Sequence, residues 1–140
     1  MSINKEYIDF FETINENRKI EEYKKYFDEN SRFKDPFNDV IGVNNIYKIF
    51  LHMYTQVDNP KFKIIENISE KNISYIKWEF IFSFKNSKNI ESFTGVSRVL
   101  FSENRKVIFH EDFWDTSENL YEKIPILSFF MKLIKRKLSN

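Results

Sequence analysis

His110 and Asp112 stand two residues apart in a stretch, 106–114, whose alternation predicts a β-strand. At that spacing both side chains share one face with Ile108 and Trp114. An imidazole titrates near neutrality, and a carboxylate beside it can orient or charge the ring, so the two could work as an acid/base pair. The same groups also make an ordinary structural hydrogen-bond pair. A second carboxylate, Asp35, alternates with Ser31, Phe33 and Phe37 and directly precedes Pro36. From its residues alone Asp35 is a turn carboxylate that accepts backbone amides, a ligand contact, or a base. The other histidine, His52, sits beside Met53 in a helical pattern and reads as a surface or packing residue.

Other chemistries find little material. Cysteine is absent, which removes disulfides, thiolate catalysis and Cys-ligated zinc. The two histidines lack the i,i+4 spacing of a helical metal site, so no metal and no cofactor are expected. Gly95-Val96-Ser97 does not complete a nucleophile elbow, and two glycines, Gly42 and Gly95, cannot build a phosphate-binding loop. The 22 basic and 21 acidic residues leave a net charge of +1, which speaks against nucleic acid as a partner. No apolar run is long enough to span a bilayer, and the polar N-terminus lacks a signal-peptide core, so the expected location is cytoplasmic.

The 140 residues are enough for one domain with a real core. Aromatic side chains make up 18%, a large apolar payload for that core. Tyr7, Phe10, Phe11 and Ile14 form the stripe of an amphipathic helix, and Ile20, Tyr23 and Phe27 mark a short second one. Residues 31–37 alternate as an edge strand limited by Pro36. Gly42 closes the next loop. Val43, Ile46, Phe50 and Met53 then predict a third helix, ended by the turn signal Asp58-Asn59-Pro60. Strands are predicted at 61–69, 72–84, 91–101 and 106–114, joined by short polar segments that suit antiparallel hairpins. Ser74, Ile76, Trp78, Phe80 and Phe82 take one face; Tyr75, Lys77, Glu79 and Ile81 take the other. The whole is an α+β domain, with three helices gathered on one face of a curved, mainly antiparallel sheet.

A separate segment follows. Residues 1–116 carry the domain, and 117–140 read as an amphipathic helical tail with Leu120, Ile124, Leu127, Met131, Ile134 and Leu138 on its stripe. Five bases against two acids give the tail +3, with Lys132, Lys135, Arg136 and Lys137 at its end. The stripe suits packing on the domain or on a dimer mate. The basic rim beside Phe129, Phe130 and Met131 also suits peripheral contact with an anionic membrane.

The order Tyr26-Phe27-Asp28-Glu29-Asn30, Phe33-Lys34-Asp35-Pro36-Phe37, Gly42, Ile46 to Phe50, Trp78, Ser97 to Phe101 and Lys106 to Asp115 resembles the NTF2-like (SnoaL-like) superfamily over about residues 6–115. The resemblance implies a cone with an internal pocket and a homodimer through the outer sheet face. It makes Asp35 similar to the general base of the Asp-Pro pair in ketosteroid isomerases. Those isomerases' oxyanion tyrosine falls at Phe11 here, and their protonated aspartate at Ser97, so steroid isomerisation is disfavoured. His110 and Asp112 replace apolar pocket residues and could supply the missing acid/base groups.

Phe33, Phe37, Trp78, Phe80 and Trp114 belong to the core and also line the implied pocket. Phe11, Met53 and Ser97 complete it. The expected ligand is a small, largely apolar molecule of lipid, steroid, polyketide or terpenoid type. The expected chemistry is cofactor-free isomerisation, cyclisation or epoxide hydration, with Asp35 as base, His110 as acid or oxyanion donor and Asp112 as its orienter. The competing expectation is a non-catalytic interaction module.

Overall fold

The computed structural model describes residues 4–115. The predicted tail, 117–140, lies outside the described residues. Helix α1 (Lys5–Glu12) forms where the aromatic stripe is. It buries Tyr7, Phe10 and Phe11, with Ile14 just beyond its end, and each such burial contributes roughly 1.5–3 kcal/mol. Helix α2 (Ile20–Tyr26) carries glutamates in its first turn and lysines in its last, the favourable order for the helix dipole. It stops one residue earlier than its periodicity suggests. Phe27 has extended backbone and opens strand β1 (Phe27–Lys34), where its ring is 1% exposed.

β1 ends at Lys34, because Pro36 cannot continue the ladder. Asp35 and Phe37 therefore lie in the turn beyond the strand, not on it as the alternation predicts. That turn leads to a short strand the sequence did not announce, β2 (Asp39–Ile41), antiparallel to β1. Gly42 follows with φ of 103°, a backbone state that favours glycine, and its N–H bonds Ser31 O at 2.8 Å as α3 (Val43–Gln56) begins.

β3 (Val57–Glu70), β4 (Ile73–Phe84), β5 (Glu91–Phe101) and β6 (Val107–Phe113) form the antiparallel meander. The expected turn at Asp58-Asn59-Pro60 is instead a bulge inside β3. The register shifts between Asp58 and Lys61, and Asn59 takes a φ of 52°. Proline fits there because β3 is an edge strand. The six strands run in the order β2-β1-β6-β5-β4-β3, and β1 with β6 is the one parallel pair among them.

The helices cover one face of the sheet. α2 and α3 pack on β1, and α1 packs toward β3. Ser74, Ile76, Trp78, Phe80 and Phe82 all face this core, as their alternation predicts. Ile108 does not. Between β5 and β6 the register skips from Leu100–Phe109 to Phe101–Val107, so Ile108 is the extra residue. It is turned outward at 40% exposure, while Val107 and His110 face in. Among the described residues no helix is long and apolar enough to cross a membrane.

Candidate functional site

A chain of hydrogen bonds, buried at Tyr7 and Trp78 and part-buried at Asp112, crosses the inner face of the sheet. Tyr7 Oη lies 2.7 Å from His110 Nδ1. His110 Nε2 lies 2.7 Å from Asp112 Oδ1. Ser97, paired with Asp112 across the β5–β6 ladder, also donates to Oδ1. Trp78 Nε1 donates to Ser97 Oγ at 2.8 Å. Three strands and α1 thus converge on one carboxylate oxygen.

Period-two geometry places His110, Asp112 and Ser97 on the inner face, and Phe33 pairs with His110 across the parallel ladder. The Phe33 ring stacks on the imidazole at 4.8 Å and 12°. Phe11 lies against the imidazole at 5.5 Å. The side chains of His110 and Asp112 are only 5% and 16% exposed.

Asp35 comes one residue beyond the Lys34–Glu111 pair that ends the β1–β6 ladder, near enough to Asp112 to feel its charge. Its Oδ1 accepts the N–H groups of Phe37 (2.8 Å) and Asn38 (2.6 Å), and Asn38 Nδ2 reaches both oxygens at 3.1 and 3.0 Å. The turn-carboxylate reading of Asp35 is therefore what its contacts show. Burial raises the Asp35 carboxyl above its ordinary value, the bonds from Asn38 and Phe37 oppose that, and the charge of Asp112 adds to the rise. Tyr7 is likewise held well above the usual phenol range, first by burial and then by Asp112.

A raised carboxyl means that the folded protein holds this proton more tightly than the unfolded chain. Stability from Asp35 thus falls as pH rises from the ordinary value of 3.8 through the raised one, and stays lower above it. Asp35→Asn is expected to remove that decline. Urea midpoints of the two proteins across the acid range should diverge in favour of the variant as pH rises, and parallel curves would contradict the assignment.

The aromatic pocket residues expected from sequence are joined by ring contacts through Phe62 and Phe93. Phe11, Phe33, Trp78 and Ser97 surround or belong to the chain just described. Phe37 and Trp114 touch each other at 5.5 Å, and Trp114 packs on Phe93 at 4.9 Å. Phe80 stacks with Phe62 and Phe82, and Phe62 joins that stack to Phe11 and Trp78. Met53 packs on the edge of the core from α3, and His52 stands on that helix's exposed face.

Tyr7 is the member that sequence reasoning missed. The resemblance pointed one turn further on, to Phe11. The available signal was a lone hydroxyl in the buried stripe of α1, since a buried tyrosine tip needs a polar partner. Among the described residues no three His, Asp or Glu side chains are grouped to hold a metal ion.

No protein-family model and no curated protein matches the chain. Solved structures do. An NTF2-like protein of unknown function from Burkholderia pseudomallei is 15% identical with a TM-score of 0.73, over 86% of this chain and 97% of that one. A SnoaL-like protein from Jannaschia sp., proposed as a polyketide cyclase, is 8% identical with a TM-score of 0.73, over 84% and 88%. TerC, crystallised with polyporic acid, is 16% identical with a TM-score of 0.71, over 89% and 98%. At such identities the likeness defines the fold, which is that of the NTF2-like and SnoaL-like proteins.

Proposed function

We propose that the protein takes a small, largely apolar molecule against its aromatic inner face and acts on it by cofactor-free acid/base chemistry. The observation that carries this reading is the buried chain from Tyr7 and Trp78 to Asp112. Such a chain orders one carboxylate oxygen with two donors beside a second carboxylate, Asp35. Similarity in fold to a SnoaL-like protein and to TerC, which was crystallised with polyporic acid, supports a small-molecule ligand.

The geometry shifts the roles expected from sequence. Both His110 nitrogens face protein partners, so His110 serves as a positioning residue. Asp112 then becomes the base, and Asp35, held by Asn38 and Phe37, is the second carboxylate to which the proton passes. Isomerisation, cyclisation and epoxide hydration all use such a pair.

A second reading, an interaction module that dimerises through the outer sheet face, is favoured by Ile68, Tyr75 and Phe113. These stand 70%, 49% and 52% exposed on that face. One measurement separates the two. Native mass spectrometry of the freshly purified chain is expected to show a co-purified small molecule. A ligand-free dimer would instead favour the interaction module.

A further inference from the structure

With Asp112 ionised and His110 neutral, the hydrogen bonds of the chain take one direction each. An indole N–H can only donate, so Ser97 Oγ accepts from Trp78 and must send its own hydrogen to Asp112. An ionised carboxylate can only accept, so His110 Nε2 carries a hydrogen and donates it to Asp112. The neutral ring then offers a lone pair at Nδ1, and the Tyr7 hydroxyl donates to it. Four donors are thereby consumed, two of them, from Ser97 and His110, on Oδ1 of Asp112.

Asp35 consumes another set: the Phe37 and Asn38 backbone N–H groups and the Asn38 amide. The neighbouring base, Lys34, pairs with Glu111 at 3.9 Å, one residue out of phase with Asp35 and Asp112. Among the described residues Asp112 Oδ2 accepts no hydrogen bond. Its spare capacity, like that of the Tyr7 hydroxyl oxygen, is for accepting.

We infer that the polar end of the site recognises a ligand by hydrogens that the ligand itself donates, from a hydroxyl, phenol or amine, and rejects a carbonyl or carboxylate at that position. The inference rests on the binding reading above and narrows it. A carbonyl oxygen placed here would face carboxylate lone pairs with no donor to meet it, and a buried acceptor left unmatched is costly. A hydroxyl or N–H would complete Asp112. This differs from a site built to stabilise an oxyanion, which needs unspent donors.

The test compares probes that share one ring system and differ in a single group: naphthalene, naphthol, acetylnaphthalene and naphthoate. Binding to the full chain is followed by tryptophan fluorescence and calorimetry. Naphthol is expected to bind about tenfold tighter than acetylnaphthalene or more, and naphthoate more weakly than naphthalene. The absorbance of bound naphthol should remain that of the un-ionised phenol.

Asp112→Asn places an amide N–H₂ where Oδ2 was, because Oδ1 must still accept from Ser97 and His110. The preference should then turn toward acetylnaphthalene. Tighter binding of acetylnaphthalene than of naphthol to the unmodified chain, or naphthol bound as its anion, would overturn the inference. Equal binding of naphthalene and naphthol would retain the pocket but reject the donor rule. If none of the four binds, the binding reading itself fails and this inference with it. The ligand series on the unmodified chain decides the matter even if the variant does not fold.

Discussion

Replacing Gly95 by alanine is expected to destabilise the protein by about 1–3 kcal/mol, as overpacking of a filled core does. The sign is the informative part. Glycine inside a strand is ordinarily a weak residue, and alanine in its place would usually help. Here Gly95 faces Trp78 across the β4–β5 ladder. A Cβ at this position would lie 2.5 Å from two carbons of the Trp78 ring and 3.0 Å from Phe113 O.

The indole cannot simply step aside. Its Nε1 is bonded to Ser97, and its ring is flanked by Phe62 at 5.7 Å and Phe93 at 6.0 Å. Relief must come from moving Trp78, which breaks the first link of the chain to Asp112. Urea denaturation should show the loss of stability, and the near-ultraviolet circular dichroism should change with it. A variant as stable as the parent, with an unchanged tryptophan signal, would show that the strand relaxes around the methyl group.

Replacing His110 by leucine is the second large effect expected. The substitution leaves the Tyr7 hydroxyl without its partner among aromatic rings and takes one donor from Asp112. Each buried polar group so stranded costs about 1–3 kcal/mol, and more if it is charged. Tyr7→Phe alone removes one bond and exposes only the Nδ1 lone pair, so its cost should be smaller. In the double variant Tyr7→Phe/His110→Leu the stranded hydroxyl is gone. Its cost should fall short of the sum of the single costs by an amount on the order of 0.5–3 kcal/mol. Strict additivity in denaturant titrations would mean that the two side chains do not act as a unit.

Much of the architecture is legible in local pattern. The stripe Tyr7, Phe10, Phe11 and Ile14 can bury its rings in one direction only if it is helical, and it is buried. The alternation from Ser74 to Phe82 can turn one face inward only as a strand, and that face is the core. His110 and Asp112 are on one face for the same reason, and they do bond to each other. These features depend on neighbours within a few residues, so the order of residue types is enough to set them.

What the tertiary structure alone decided depends on register and on partners far along the chain. Ile108 turns outward because β5 and β6 slip by one residue, a shift set by the pairing of two strands rather than by either one. Asp58-Asn59-Pro60 has the composition of a turn, yet β4 lies alongside it and holds it in the sheet as a bulge. Asp35 left the face predicted for it because Pro36 ends the strand and Asn38 folds back on the carboxylate. Tyr7 meets His110 from 103 residues away, so no local spacing could assign that hydroxyl its partner. The proposed working carboxylate turns on the same fact: only when Tyr7 and Trp78 hold His110 and Ser97 do the latter two both donate to one oxygen of Asp112, leaving the other to accept.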